Sequence, residues 1–189
     1  MLHSHKKRKG DWIQTYTGKK FWLLDPRPED ICIEDIGHAL SLICRFGGHC
    51  RSFYCVAQHS LYCSEQSDEE HAFQLLMHDA TEAYCGDIVR PFKPFLTNYN
   101  DIEENILLCI RKKFKFDYDH KYVKIIDNRM LATEVRDIIP SEVANTFHIV
   151  EKPYIHFRIV PWSSSEAEFQ FLKRFGELYG KRKVRGKLL

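Results

Sequence analysis

The most chemically loaded stretch of this chain is His78-Asp79-Ala-Thr-Glu82, set among Phe73, Leu75, Leu76, Met77, Ala80 and Ala83. The apolar setting reads as a buried helix, on which successive residues project about 100° apart. His78 and Asp79 therefore cannot share one face, but they can flank one groove and each reach an ion lying over the helix. Glu82 lies four residues from His78 and three from Asp79, which brings a second carboxylate to the same neighbourhood. Unpaired buried charge is expensive, and metal coordination is one of the few arrangements that offset it. A structural His–acid pair would account for the dipeptide alone. The pattern is wider than that: His59 stands in Val56-Ala-Gln-His59-Ser60, Asp127 in Ile125-Ile-Asp127-Asn, and Arg45 just before Gly47-Gly48. Three helices thus each carry a polar side chain where packing alone would prefer a hydrophobe.

Helices must position these groups. Ile33, Ile36, Leu40 and Ile43 recur in steps of three and four, which predicts a helix ended or bent at Gly47-Gly48. Further helices are expected over 53–66, 68–84, 98–115 and 119–139, the third carrying an apolar stripe of Ile102, Ile106, Ile110 and Phe114. Residues 145–161 read as irregular or extended, and Ser163 with Glu166 has capping-box spacing for a last helix to 179. Ahead of the helices, strand-favouring residues from Trp12 to Trp22 flank Gly18 and predict a short hairpin or extended arm. No repeat, low-complexity block or linker divides the chain. The reading is an all-α fold: one helical domain over 11–180 with an N-terminal extended or hairpin segment, between basic tails at 1–10 and 181–189.

The order His59, His78-Asp79, Asp127 resembles that of the HD metal-dependent phosphohydrolase superfamily. So do Arg45-Phe46, Val-Ala-Gln-His59-Ser, His78-Asp-Ala-Thr-Glu82, and Gly86-Asp87 followed by Pro91-Phe-Lys93. Over residues 12–137 the series is similar to the compact bacterial and prophage-type 5'-deoxynucleotidases and to phage HD-domain dATP triphosphohydrolases. The resemblance implies an HD-domain helical bundle in which His59, His78, Asp79 and Asp127 hold one divalent metal ion. Two imidazoles and two carboxylates suit Co, Mn, Zn, Fe or Ni, with Mg a further candidate. It implies Glu82 as a catalytic carboxylate that positions water or protonates the leaving oxygen. It also implies Arg45 as a catalytic and phosphate-binding cation whose guanidinium fits two oxygens. Asp87 becomes a candidate for discriminating deoxyribose from ribose, Phe46 for a base or sugar contact, and Lys93 for positive potential over the phosphate. His49 can face the site or the surface; His38 reads as a structural histidine. The implied partner is a small-molecule nucleotide, and a homo-oligomer is expected.

The favoured activity is a 5'-nucleotidase releasing phosphate from (deoxy)nucleoside monophosphates. A dNTP triphosphohydrolase is the alternative, and it needs extra cations, for which Arg90, Lys93, Lys112, Lys113 and Lys121 are available. A site kept only as a nucleotide sensor is a further possibility. A reading of another class is a structural-zinc module, with Cys55, His59 and Cys63 on one helical stripe and the basic tails on nucleic acid. Structural zinc, however, usually uses CxxC or HxxxH pairs, and that reading leaves His78, Asp79 and Asp127 unexplained.

Composition bounds these choices. With 189 residues, 44% hydrophobic and 29% charged, the chain can bury one core. Its longest apolar run, Ile106 to Ile110, is far short of the roughly 20 residues of a membrane helix. The basic residues Lys6 to Lys9 precede no apolar signal segment. Seven cysteines, an odd number without a CxxC, read as buried thiols, and the expected compartment is the cytoplasm. The net charge of +2 hides nine bases in 1–9 and 181–189, which leaves 19 bases against 26 acids in the body. An acidic body argues against a broad nucleic-acid face, although the tails could touch nucleic acid.

Overall fold

In the computed structural model, which describes residues 8–184, apolar periodicity becomes helix almost wherever the sequence carries it. The protein is all-α, with a single hairpin of β1 (Ile13–Gln14) and β2 (Lys20–Phe21) among the described residues. Ile13 pairs with Phe21 and Gln14 with Lys20, and Gly18 makes the turn at φ +81°. The helices are α1 (Ile33–Leu42), α2 (Val56–Glu65), α3 (Ala72–Leu76), α4 (Glu82–Cys85), α5 (Tyr99–Phe114), α6 (His120–Ile138), α7 (Ser141–Ala144) and α8 (Ser164–Val184). Asp119 starts α6 by accepting from the amides of Lys121 and Tyr122. The Ser163 hydroxyl accepts from the Glu166 amide at 3.2 Å, ahead of α8.

The expected helix over 68–84 is two short helices separated by turns at 77–81. The reason is local: His78 Nδ1 donates to the Leu75 carbonyl at 2.7 Å and occupies the acceptor that the Asp79 amide would take in a continuous helix. The helix expected from residue 53 begins at Val56, because the preceding residues are extended. There Cys44 and Cys55 lie opposite each other in an antiparallel bridge, flanked by Arg45 N to Tyr54 O (2.9 Å) and Val56 N to Ile43 O (3.1 Å). The last helix outruns its expected end at 179, and α7 follows Pro140 where no helix was expected.

Helix α2 is the axis of the bundle, packed on α1, α3, α6 and α8. One apolar cluster on its flank includes Phe21, Ile36, Leu40, Val56, Phe73 and Phe171; another includes Tyr54, Cys63, Leu75, Met130, Ile138 and Tyr154. Between them α2 buries Gln58, His59, Ser60 and Ser64 completely. Gln58 is satisfied by the irregular segment: its amide donates to Val160 O at 2.8 Å and its carbonyl accepts from Trp162 N at 3.1 Å. Asp137 pins the same segment through the Ile159 amide (2.9 Å), Arg158 (2.8 Å) and Arg136 (2.6 Å). Burial works against its charge, but those donors hold its carboxyl down at about 2.

The basic ends are partly built into the fold. Arg8 pairs with Asp30 at 2.9 Å and lies over the Trp22 ring, and Lys181 and Arg182 continue α8. Residues 1–7 and 185–189, which hold the rest of both expected tails, lie outside the described residues. No helix among the described residues is long and apolar enough to cross a membrane. All seven cysteines are free thiols, with Cys55, Cys63 and Cys109 buried and the others half-buried.

Close approach of α1 and α8 requires Gly37, since a Cβ there would lie 2.8 Å from Leu172 Cδ2 and 3.0 Å from its Cγ. Gly37→Val should therefore lower unfolding stability in urea by about 1–3 kcal/mol through overpacking. The depressed Asp137 carboxyl gives a pH-dependent contribution that is full above roughly pH 4 and lost as pH falls through about 2. The stability gap between the wild type and Asp137→Asn, read from Trp162 fluorescence, should be constant above the upper limit and close between the two.

Candidate functional site

His59, fully buried at the middle of α2, is the hub of a polar cluster drawn from α2, α6 and the turn between α3 and α4. Its Nδ1 donates to Glu134 Oε1 at 2.6 Å. Its Nε2 lies 3.2 Å from His78 Nε2, 3.2 Å from Asp127 Oδ1, 3.5 Å from Asp79 Oδ2 and 3.6 Å from Cys63 Sγ. The break after α3 is what brings Asp79 to the same point as His78, with Oδ2 and Nε2 3.2 Å apart. The loop closed by the Cys44–Cys55 bridge starts with Arg45, whose Nη2 donates to Glu134 Oε2 at 2.9 Å and whose Nη1 lies 3.6 Å from Asp79 Oδ2.

The hydrogen bonds assign the tautomers. His59 Nδ1 faces a carboxylate and His78 Nδ1 a carbonyl, so both must carry a proton there, and in the neutral imidazoles both Nε2 atoms carry the lone pair. Two lone pairs then face each other and two carboxylates across about one hydrogen-bond length, with no donor between them. A cation is the species that relieves such a set. The surroundings favour positive charge at this point: burial and Arg45 oppose a charged His59, yet Cys63, Glu134 and Asp127 outweigh them and raise its pKa well above the ordinary value. Burial likewise opposes the Asp79 charge, but His78, His59 and Arg45 hold its carboxyl far below the usual range. His59, Cys63 and His78 by themselves have donor atoms within 4.8 Å of one another, a group that could hold a metal ion.

A cavity of about 1010 Å³ opens over this cluster, lined on the polar side by Arg45, Asp79, Glu82, Asp87, Lys93 and Asp127. Seven of the nine candidate residues thus line one cavity, the seventh being Phe46, and His59 and His78 lie beneath it. Glu82 is buried and its Oε2 has no partner; burial first, then the charges of Asp79 and Asp87, raise its pKa well above the usual carboxylate range. Burial also raises Asp87, against the pull of Arg45. Phe46 takes the left-handed conformation at φ +57°, with the Arg45 guanidinium 5.5 Å from its ring centre.

Some expected roles are narrowed. Arg45 has one Nη bound to Glu134, so its two-oxygen grip is not wholly free, although its buried Nε has no partner. Lys93 turns its ammonium to Glu103 at 3.3 Å. Of the cations available to a longer phosphate chain, Arg90 and Lys93 reach the cavity lining, and Lys112, Lys113 and Lys121 do not. His49 lines the cavity, whereas His38 stacks on Tyr16 and pairs with Glu168 at 3.2 Å. Cys63, but not Cys55, joins the His59 group.

Glu134 escaped the sequence reading. It lies seven residues after Asp127, two helical turns along the same face of α6, and is fully buried. A carboxylate at that spacing, amid Met130, Ala132 and Val135, was the available signal. The apolar wall facing the acidic groups was equally unforeseen: Leu131, Ile139, Val143, Phe147 and Ile149, mostly from the chain after α6.

Over 175 residues the chain is 41% identical to the uncharacterized protein YfdR of Escherichia coli (strain K12), covering 91% of this chain and 98% of that one. The chain belongs to the YfdR family. It is also 32% identical over 113 residues to the uncharacterized protein RCAP_rcc00048 of Rhodobacter capsulatus, 54% of this chain and 58% of that one. No family model matches the chain.

A divalent ion should stabilise the folded protein by about 2.7 kcal/mol at a hundredfold excess over Kd, or roughly 5–10 °C in Tm for a domain this size. Thermal melts with Co²⁺ or Mn²⁺ check this. Asp127→Ala should lose most of the shift and Cys63→Ser should keep it; the opposite pattern would assign the ion to the His59, Cys63 and His78 group.

Proposed function

We propose that this YfdR-family chain is an HD-type metal-dependent phosphohydrolase, a 5'-nucleotidase that releases phosphate from (deoxy)nucleoside monophosphates. The observation that carries the reading is the convergence of two imidazole Nε2 atoms and two carboxylates on one point, with Arg45 and a buried Glu82 whose Oε2 has no partner on the lining of the same cavity. His59, His78, Asp79 and Asp127 would hold the ion. Bound there, a divalent transition metal supplies Lewis acidity and makes coordinated water a nucleophile near neutral pH.

The remaining steps fall to the chain's own side chains. Arg45 offers guanidinium N–H groups to phosphate oxygens. Glu82, whose protonated form is favoured by burial and by two neighbouring carboxylates, can donate its proton to the departing 5' oxygen, so that water and phosphomonoester become nucleoside and orthophosphate. Asp87, on the same lining, is within the region where a sugar would follow the phosphate, and the apolar wall from Leu131 to Ile149 suits a base. The monophosphate is favoured over the triphosphate because the polar half of the cavity is crowded with carboxylates. Of its cations, Arg45 and Lys93 are already engaged with acids and Arg90 is mostly exposed.

A panel of dNMPs and dNTPs with Mn²⁺, Co²⁺, Mg²⁺ and Zn²⁺, with orthophosphate and triphosphate separated, tests the reading. Orthophosphate from monophosphates is expected, abolished by chelator. Glu82→Gln should lower kcat by about 10²–10⁴-fold while leaving the metal-dependent rise in Tm intact. Saturable nucleotide binding without product under every metal would overturn the enzyme assignment in favour of a sensor.

A further inference from the structure

We infer that Glu134 is the positioning residue of this site, one buried carboxylate that orients the imidazole of His59 for the metal ion and holds the guanidinium of Arg45 beside it. The inference rests on the metal-site reading above, but not on the identity of the substrate. Oε1 accepts from His59 Nδ1 at 2.6 Å and Oε2 from Arg45 Nη2 at 2.9 Å, and the side chain is wholly shielded from solvent. These contacts join a residue of α6 to the centre of α2, 75 positions earlier, and to the loop at 45, 89 positions earlier.

Because a carboxylate only accepts, it fixes a proton on His59 Nδ1 and leaves Nε2, which faces His78 and Asp127, as the nitrogen whose lone pair is available to an ion. A glutamine cannot serve both neighbours, since it has a single acceptor oxygen. Arg45 is permanently charged and makes the stronger claim on that oxygen. The NH₂ group then faces His59 Nδ1 and donates to it, which moves the imidazole proton to Nε2 and removes a metal-binding lone pair. If Glu134 served only as a counter-ion for Arg45, the same substitution would lower stability and leave the His59 tautomer and the metal affinity alone.

Titration of the full chain with Co²⁺, followed by its visible absorption, separates the two roles without any substrate. Glu134→Gln should weaken Co²⁺ binding by about 10–100-fold, and Glu134→Asp, which keeps two acceptors, should recover part of the loss. Nitrogen-15 NMR of histidine-labelled protein loaded with diamagnetic Zn²⁺ should give His59 protonated at Nδ1 and not at Nε2 in the wild type. Wild-type Co²⁺ affinity in a folded Glu134→Gln protein would overturn the inference. So would a Zn²⁺-loaded wild type in which the His59 proton sits on Nε2 rather than Nδ1, a measurement that stands even if the variant does not fold. A wild-type chain that bound Co²⁺ but hydrolysed no nucleotide would overturn the proposed activity alone, and a weakened Glu134→Gln titration would still support this role.

Discussion

Everything at this site follows from mutual repulsion held in place. Two imidazole nitrogens and two carboxylates crowd one point at the base of the cavity, the imidazoles buried and the carboxylates partly exposed, and the fold spends its central helix on keeping them there. Left alone, such a group would spread apart or take up protons. It stays together because three of its four members are tethered from behind: His59 by Glu134, His78 by the Leu75 carbonyl, and Asp79 partly by Arg45. The tethers fix direction as well as distance, so that the demand for positive charge is focused on one spot.

The helix break between α3 and α4 shows how local structure serves that demand. A regular helix would fan His78 and Asp79 apart by about 100°. By capturing the Leu75 carbonyl, the His78 ring both orients itself and loosens the ladder beneath Asp79. The side chain that needs a neighbour thus distorts the backbone that delivers it. A comparable local cost is carried at Phe46, a non-glycine residue in the left-handed region immediately after Arg45.

Much of this was legible in advance, for identifiable reasons. Helices α1 and α5 announce themselves through apolar stripes, and the hairpin through strand formers around a glycine. The polar candidates stood out because each interrupts an apolar setting, and the structure brings Arg45, His59, His78, Asp79, Glu82, Asp87 and Asp127 to one cavity floor or wall. What periodicity cannot encode is a side chain competing for a backbone acceptor, which is why 68–84 read as one helix. Nor can it reveal a partner reached only across the fold: Glu134 looked like an ordinary charge on a long helix, and Lys93 like a free cation before Glu103 was seen beside it. The apolar wall after α6 was missed because 140–149 carries no regular pattern.

The placement of α2 also dictates when the protein can mature. Its buried polar groups find partners 75 residues onward at Glu134, 102 onward at Val160, 104 onward at Trp162 and 110 onward at Arg174. A growing polypeptide that has emerged only through α5 carries His59, Gln58 and Ser64 with none of these, and closing such long loops is entropically slow. Assembly of the centre therefore waits in biosynthesis until α6, the segment at 160–162 and α8 have been made.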